Sequence, residues 1–559
     1  MAFDVVTSSF RVGRRRRGAA PEALRAGVFA GLAAIAFALV GAYVLMDERF
    51  VVEDALTLAQ AVLLAIGLAA GALGARAAGR AGAGAAASLG LGLAAGLLAG
   101  AMVAGLVLLV ASVDVRSILV AASPALTKAL SLGLPRASAA ALALLAGLGA
   151  AAGLLGGGLA LLPPAARKAL LAGLGAVLAA GLFRDVFAGT LDTLSGLGLP
   201  TPDIFGSAGI MPGPAAALFA AAAGIAVLRA ALAGRRRDQP AGPWPRRLGI
   251  GLLLAGILVL PLVTGDFVAQ VAMLVGLYVL MAMGLNVELG LAGLVDLGFV
   301  AFFAVGAYTV ALLCSTGPYA IAHLSFWAAL PVAVGIAALA GLVFGLPVLR
   351  VRGDYLAMAT LALGEIIRIL VVSDALRPLL GGSQGIIEIA RPSLFGFPLN
   401  TPAELYYLAL SLGGVVGFVS WRLQHSRTGR AWLAIREDED VAQALGIDPV
   451  AVKLLAYTVG AAFAGAAGAV FAVLVGSVYP HSFQLLISIN VLAILVIGGL
   501  GSLPGVVVGA LMLVGLPELL REFGEFRYLF YGLALVAMMH LRAEGLWPAR
   551  SAREAADAR

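Results

Sequence analysis

Charged residues are scarce in this chain of 559 residues: Asp, Glu, Lys and Arg make up 12% of it, against 62% hydrophobic residues. Soluble domains carry about twice that share of charge. Apolar runs of roughly 17 to 25 residues recur along the sequence, and this is the length that crosses the hydrocarbon core of a bilayer. The composition excludes a large soluble domain and predicts an integral membrane protein.

Cysteine, histidine and nucleotide-binding motifs are equally sparse. The single cysteine, Cys314, excludes a disulfide framework and a Cys-based metal site. No two of the four histidines share a metal-ligand spacing, and no Gly-Lys dipeptide occurs, which excludes a P-loop for ATP. No Ser/His/Asp or paired-acid constellation stands out within one segment. We therefore expect a transport protein rather than an enzyme, without a catalytic residue, cofactor or metal of its own.

The net charge of +7 comes from basic clusters, such as residues 14–17 and 235–237, that flank apolar runs and have no aromatic residues interleaved among their charges. Such clusters are typical of topology signals and not of nucleic-acid sites. If residues 14–17 are cytoplasmic, the acidic residues Asp47 and Asp114 fall in outer links and the basic links fall inside. This alternation predicts a multi-pass protein of the plasma (inner) membrane with both termini in the cytoplasm.

The stretch RRRDQPAGPWPRR, residues 235–247, combines basic charge with three prolines and predicts a cytoplasmic linker. We place a module boundary there, which gives an N-terminal membrane module (1–245), a core (246–548) and a cytoplasmic tail (549–559). The apolar segments run roughly over 23–46, 55–75, 87–112, 138–162, 168–187 and 213–232 in the module, and over 248–265, 267–288, 296–314, 325–349, 355–373, 403–421, 452–476, 485–520 and 526–541 in the core.

Two of these segments need separate treatment. The first, 23–46, is too long for the apolar region of a signal peptide, so we expect an uncleaved helix. The tract 485–520 is too long for one span and is interrupted by GGLGSLPG, which predicts two spans or half-spans that meet at a break. A re-entrant segment or a single kinked helix remains the alternative. The predicted fold is an all-α polytopic bundle of about ten core helices plus about six N-terminal helices.

The longest cytoplasmic connection, the 422–453 link, is the most soluble-looking part of the core. Four acidic residues, 437–440, precede a short apolar stretch that includes Leu445, and Gly446 and Pro449 follow it. This pattern predicts a short amphipathic helix with acidic residues at its N-terminus. Such a helix can dock in a groove of a cytoplasmic partner. The alternative is a solvated loop between two spans.

Polar residues within the apolar segments are candidates for a translocation path. Segment 284–308 contains Asn286, Glu288 and Asp296 among glycines, although the two acids are also consistent with a cytoplasmic turn. Segment 349–369 contains Glu365 and Arg368, spaced i,i+3, which is also the pattern of a buried structural pair. The candidate path residues are Asn286, Gly290, Gly293, Tyr308, Thr360, Glu365, Arg368, Ser383 in the outer loop GGSQG, and Gly499 and Gly501 in the glycine break.

Five sequence blocks of the core occur in a familiar order and spacing: GLNVELGLAGLVDLG with AVGAY, GLPVLRVRGDYLAMATLALGEIIRI, GRAWLAIREDEDVAQALGID, KLLAYTVGAAFAGAAGAVFA and VIGGLGSLPG. Through them residues 248–548 closely resemble the LivM-type permease subunit of ABC importers for branched-chain amino acids. The outer loop departs from the family pattern GGPNG, because GGSQG keeps the polar character but lacks the proline.

The resemblance implies a permease that pairs, in the lipid membrane, with a second homologous permease, two cytoplasmic ATPase subunits and an extracytoplasmic solute-binding protein. ATP and Mg would bind to the ATPase subunits, and no nucleic acid is involved. The 422–453 link is similar to the EAA-type coupling loop of the family, which docks on the ATPase. The coupling residues so implied are Arg430, Arg436, Glu437, Glu439, Asp440, Leu445 and Gly446.

The predicted function is ATP-driven import of branched-chain or other hydrophobic amino acids by alternating access. Alternatives are an importer for urea, amides or another small solute, an ion-coupled carrier or channel, and a scaffold that has lost transport. A carrier has no need of an ATPase-docking helix and requires an intramembrane charge relay. Residues 1–245 lie outside the resemblance, and we expect them to form a packing or partner-contact module.

Overall fold

The structure is a computed structural model that describes residues 19–113, 123–131, 138–196, 203–206, 209–235, 243–349, 351, 354–394, 396–521, 527–528, 531–532, 535–536 and 545–548. Within these residues, twelve helices are long and apolar enough to cross a membrane, and the β-structure is confined to two short antiparallel ribbons and isolated bridges. The prediction of an all-α polytopic membrane bundle is confirmed.

The helices are α1 (Ala19–Val40), α2 (Ala42–Asp47), α3 (Leu58–Arg80), α4 (Ala85–Ser112), α5 (Pro124–Leu130), α6 (Ala139–Leu161), α7 (Pro164–Leu182), α8 (Arg184–Gly196), α9 (Pro212–Arg235), α10 (Pro243–Leu285), α11 (Val300–Cys314), α12 (Phe326–Val348), α13 (Asp354–Val372), α14 (Arg377–Leu380), α15 (Pro402–Gln424), α16 (Arg427–Glu437), α17 (Glu439–Ala444), α18 (Pro449–Val475), α19 (Leu485–Gly498), α20 (Leu503–Ala510) and α21 (Leu516–Leu519). The ribbons pair β1 (Phe50–Val52) with β2 (Leu56–Thr57) and β3 (Ser393–Leu394) with β4 (Phe397–Pro398).

Two compact units divide the chain, one of residues 1–188 and 198–247 and the other of residues 189–197 and 248–559. In the first unit, α3, α4 and α6 pack backbone against backbone. A methyl group on Gly71 would lie 2.0 Å from the Gly153 carbonyl oxygen, and one on Gly96 would lie 2.2 Å from the Gly149 carbonyl oxygen. Small residues allow this close approach, which is the usual way that membrane helices associate.

The core of the second unit is built on α11 and α18. A methyl group on Gly306 of α11 would lie 2.2 Å from the carbonyl oxygen of Gly465 in α18, and one on Gly468 would lie 2.0 Å from that of Phe303. The long helix α10 is broken at Gly265, whose φ of 79° is not helical, so it comprises two helical segments as the sequence predicts. After Leu285 the helix widens into a π-helix, Asn286–Leu291.

The tract 485–520 folds as two packed helices around a break. The backbones of α19 and α20 touch, because a methyl group on Gly498 would lie 2.1 Å from the Gly505 carbonyl oxygen and one on Gly509 would lie 2.2 Å from that of Ile494. Between them Gly499 and Gly501 adopt positive φ angles of 117° and 77°. Such contacts require the chain to turn back on itself, so the alternative of a single kinked helix is wrong. The predicted final helix, 526–541, lies mostly outside the described residues.

Candidate translocation and coupling site

The 422–453 link contains two helices, α16 and α17, and each of its turns is made by a capping residue. Ser426 accepts the N–H of Gly429 before α16, and Asp438 accepts the N–H of Val441 over 3.0 Å before α17. Asp448 caps the start of α18 in the same way, with an N–H···O distance of 2.9 Å. Side-chain oxygens at these positions satisfy the free N–H groups of each helix start. The capping residues therefore define tight turns between the helices, and the link is not an irregular loop.

The link is anchored to the second unit by buried and charged contacts. The Trp432 side chain is fully buried and its indole N–H donates to the Val452 carbonyl oxygen over 2.9 Å. Glu439 forms an ion pair with Lys453, with 2.6 Å between the charged atoms. Arg436 donates a hydrogen bond to the carbonyl oxygen of Gly290 in the π-helix. The link is therefore attached rigidly to the transmembrane helices.

One face of α17 remains open. Leu445 is 77% exposed and Val441, four residues earlier, is 55% exposed. Residues four apart lie on the same side of a helix, so the two side chains form one apolar patch. Gly446, with a φ of 88°, ends the helix directly after it. Arg430, Glu437 and Asp440 are also exposed, so the link presents charged side chains as well as the apolar patch.

The π-helix, the glycine break and the link meet at Gly501. The side-chain oxygen of Asn286 accepts the Gly501 N–H over 2.9 Å, and the side-chain N–H of Gln424 donates to the Gly501 carbonyl oxygen over 3.1 Å. Gly290 lies against the same point, since a methyl group on it would come within 2.8 Å of the Gly501 nitrogen. Gly293 packs against the Arg436 side chain. These candidate path residues therefore form a packed junction.

Thr360 and Tyr308 are buried in the interior. The Thr360 hydroxyl accepts the Leu297 N–H over 3.1 Å and donates to the Ala357 carbonyl oxygen, so it holds the 292–299 connection against α13. The Tyr308 ring packs against Phe483, with ring centroids 5.7 Å apart. Its hydroxyl has no hydrogen-bond partner in the described part of the chain. Tyr308 is thus a free polar group inside the bundle, whereas Thr360 is fully engaged.

Glu365 and Arg368 are brought together on α13 by hydrogen bonds of 3.0 and 3.1 Å. Their side chains are 45% and 38% exposed, so the other described helices of this chain do not bury the pair. Sequence spacing identifies the pair but not the side of the helix that packs, which is why burial could not be predicted. An ion pair on the open side of an apolar helix is costly in lipid. This side of α13 requires protein or water against it.

The outer loop GGSQG is shaped by glycines with positive φ angles at Gly381 (76°), Gly382 (57°) and Gly385 (66°). Ser383 lies exposed in the short 3-10 turn between them. The loop is held in place by a β-bridge from Ile386 to Val478. Ser383 is thus presented at one end of the bundle, away from the packed junction at Gly501.

Three further residues, Glu288, Asp296 and Gln424, belong to this site. Glu288 and Asp296 are both buried, and Asp296 lies in the non-helical 292–299 connection between two helices, so the pair sits at a turn that is packed inside the unit. Gln424 was not identified, because a glutamine at the end of an apolar helix carries no signal for a contact 77 residues away. The acidic residues did carry a signal, which was charge within an otherwise apolar segment.

Known proteins resemble the same part of the chain. The family model described as "Branched-chain amino acid transport system / permease component" matches residues 267–539. The chain is 42% identical over 324 residues to the high-affinity branched-chain amino acid transport system permease protein LivM of Escherichia coli K12, which is 53% of this chain and 75% of that protein. No solved structure matches.

Two further relatives extend the comparison. The LivM protein of Salmonella typhimurium is 42% identical over 302 residues, 50% of this chain and 69% of that protein. The permease protein LivH of E. coli K12, from the same kind of transport system, is 30% identical over 151 residues, 25% of this chain and 48% of that protein. The similarity thus covers about half of the chain.

Proposed function

The chain belongs to the family of branched-chain amino acid transport permeases, and on this premise we propose that it is the membrane-spanning permease subunit of an ATP-driven importer for branched-chain or other hydrophobic amino acids. The observation that carries the proposal is the 42% identity to LivM over 324 residues. The family model covers the link with the apolar patch, α13 and the glycine break.

Energy enters through the 422–453 link. An apolar patch formed by Val441 and Leu445 needs a partner, and a groove on a cytoplasmic ATPase subunit is its proposed partner. The link would transmit movement because Arg436 binds Gly290 and Gln424 binds Gly501. A displacement of α17 would therefore act on the π-helix and the glycine break, where irregular backbone is most easily rearranged.

We assign the substrate path to the open side of α13. Glu365 and Arg368 require a polar surface opposite them, and we assign that surface to a second, homologous permease and the aqueous path between the two. A paired acid and base present no net charge, which suits the passage of a zwitterion, while the apolar side chains of the bundle suit an aliphatic substrate.

The other subunits of the proposed importer would be separate chains. Two ATPase subunits would bind ATP and Mg²⁺ on the cytoplasmic side, where we also place both termini and the link. An extracytoplasmic solute-binding protein would deliver the substrate to the end of the bundle that carries Ser383. LivM and LivH are named as permeases of one kind of transport system, which supports a partnership of two permeases.

Reconstitution of the complete complex tests the proposal. Proteoliposomes should accumulate radiolabelled leucine only with ATP inside and loaded binding protein outside, and complexes with hydrolysis-deficient ATPase subunits serve as the control. Uptake that persists without ATP and collapses with an ion gradient would contradict the importer assignment. ATP-driven uptake of urea but not of leucine would contradict only the substrate assignment.

A further inference from the structure

Two carboxyl groups touch inside the second unit without a compensating cation. Glu288 in the π-helix and Asp296 in the 292–299 connection are within hydrogen-bond contact of each other, and both are completely buried. Neither takes part in an ion pair within the described part of the chain. We call these two residues the acid pair. The proposed transport function makes no use of it.

Among the described residues, the groups around the acid pair supply polarity but no positive charge. From α18, the buried Tyr457 hydroxyl lies close enough to interact with both carboxyl groups and has no hydrogen-bond partner among the described residues. Gly460, one turn later, leaves room for the Glu288 carboxyl, since a methyl group there would lie 1.8 Å from its oxygen. From α13, Thr360 lies beside Asp296. The cation of the adjacent link, Arg436, is bound to the Gly290 carbonyl oxygen instead.

Two carboxylates cannot both remain ionised in contact inside an apolar bundle, because repulsion and the loss of hydration oppose the second charge. A single shared proton removes one charge and creates the donor that the contact lacks, as in other carboxylic acid pairs. Both carboxyl oxygens of Glu288 and Oδ2 of Asp296 have no hydrogen-bond partner among the described residues. An O–H···O bond between the two residues would give one Glu288 oxygen and Oδ2 of Asp296 a partner.

The surroundings determine which residue carries the proton. Asp296 Oδ1 accepts the Gly298 N–H over 2.7 Å, and a hydrogen bond from a backbone N–H stabilises the charged form of a carboxyl group. No N–H or O–H group of the described residues donates a hydrogen bond to the carboxyl oxygens of Glu288. We propose that the acid pair is a proton-binding site in which Glu288 is protonated and donates a hydrogen bond to the Asp296 carboxylate.

The proton of the acid pair lies close to the point where the 422–453 link is attached to the π-helix. Glu288 lies in the same π-helix as Gly290, to which the 422–453 link is bonded through Arg436. Removal of the proton would place two negative charges in contact at the point where the link meets the bundle. The resulting repulsion would separate the π-helix from the 292–299 connection and weaken the attachment of the link.

Infrared difference spectroscopy of the purified full-length chain in lipid nanodiscs tests the assignment. At about pH 8, exposed carboxyl groups are ionised, and the acid pair should still show the C=O stretch of a protonated carboxylic acid. The band should shift on exchange into D₂O, disappear in Glu288→Gln, and remain in the control Glu48→Gln, which removes an exposed acid. Asp296→Asn should keep the band but change its frequency, because the acceptor is altered.

Glu288→Gln can also donate a hydrogen bond to Asp296, so its thermal midpoint at neutral pH should match that of the unchanged chain, while Glu288→Ala should lower it. A band that persists in Glu288→Gln, or the absence of any protonated-acid band at about pH 8 in the unchanged chain, would overturn the proposal. Absence of the band together with a higher thermal midpoint in Na⁺ or K⁺ would show a cation site instead. If Glu288→Gln fails to insert, the unchanged chain and Asp296→Asn still decide.

Discussion

The side-chain oxygen of Asn286 accepts a hydrogen bond from the backbone N–H of Gly501 over 2.9 Å, although 215 residues separate the two. The Gly501 carbonyl oxygen is bound in turn by Gln424 at the end of α15. The glycine break is thereby held on one side by the π-helix and on the other by the helix that leads into the 422–453 link. Two irregular segments of the second unit, the π-helix and the glycine break, are thus bonded directly to each other.

Asn286→Ala should destabilise the chain because it leaves the Gly501 N–H without a partner in a buried site. Loss of one partner of a buried hydrogen bond costs about 1–3 kcal/mol. The change should appear as a lower thermal midpoint in detergent. Asn490→Ala is the control, since Asn490 is only partly buried and accepts a long hydrogen bond of 3.3 Å from Tyr531. Equal losses in both variants would contradict the role of Asn286.

Much of the fold could be predicted because its signals are local. Apolar segments of membrane-spanning length identify the helices, and GGLGSLPG identifies the turn between α19 and α20. The hydrogen bonds that hold these glycines in place could not be predicted from the sequence. Nothing in the sequence around Gly501 indicates that Asn286 and Gln424 bind its two backbone groups, because such partners are set by tertiary packing.

The apolar patch of α17 provides a test of docking. Leu445→Asp places a charge where we propose contact with an apolar groove, and the cost of burying an unpaired charge should prevent association. We expect the purified complex to lose its ATPase subunits or to lose the stimulation of ATP hydrolysis by loaded binding protein. Pull-down of the ATPase subunit and a coupled ATPase assay measure the two effects.

Gln443→Asp is the matched control for this substitution. Gln443 is exposed on the same short helix but is already polar, and it lies off the side shared by Val441 and Leu445. The variant adds the same charge without removing an apolar contact. It should assemble and hydrolyse ATP as the unchanged complex does. Normal coupling in Leu445→Asp would exclude the patch as the docking surface.

Close packing of α11 against α18 predicts that one methyl group is destabilising. In Gly306→Ala the new methyl would lie 2.2 Å from the Gly465 carbonyl oxygen, so the two backbones must separate. Overpacking of this kind typically costs about 1–3 kcal/mol. Gly335→Ala in α12, where a methyl group meets nothing within 4 Å, is the control and should leave the thermal midpoint equal or higher. A neutral Gly306→Ala would show that the helices are less tightly packed.

The ion pair on α13 distinguishes a path from a structural contact. Glu365→Gln leaves Arg368 unpaired and should reduce leucine uptake, and the double change Glu365→Gln with Arg368→Gln removes both charges. If the pair serves only to neutralise itself, the double variant should recover uptake. We expect it to recover stability and assembly but not uptake, because the path needs polar charged partners for the substrate ammonium and carboxylate. Full recovery of uptake would contradict a role in the path.

The side of α13 that carries this pair illustrates a limit of sequence reasoning. Spacing places Glu365 and Arg368 together, and this was confirmed by their hydrogen bonds. Burial depends on which neighbours cover the helix, and the spacing of the two residues within α13 does not specify those neighbours. The two helices of the 422–453 link were easier to predict, because the capping residues and the acidic cluster of the link contrast with the apolar segments around them.

Residues 1–245 can be tested by truncation. The blocks shared with known permeases lie within residues 267–539, and residues 248–559 belong largely to one compact unit. A chain that begins at Arg247 should therefore insert, bind its partner subunits and transport leucine with ATP, although with lower yield if the N-terminal helices assist assembly. Size-exclusion chromatography of the complex, followed by uptake in proteoliposomes at matched amounts of assembled complex, separates these effects. A truncated chain that assembles fully but moves no leucine would show that the N-terminal helices take part in translocation. In that case assembly and the 422–453 link are intact, and only the path is incomplete.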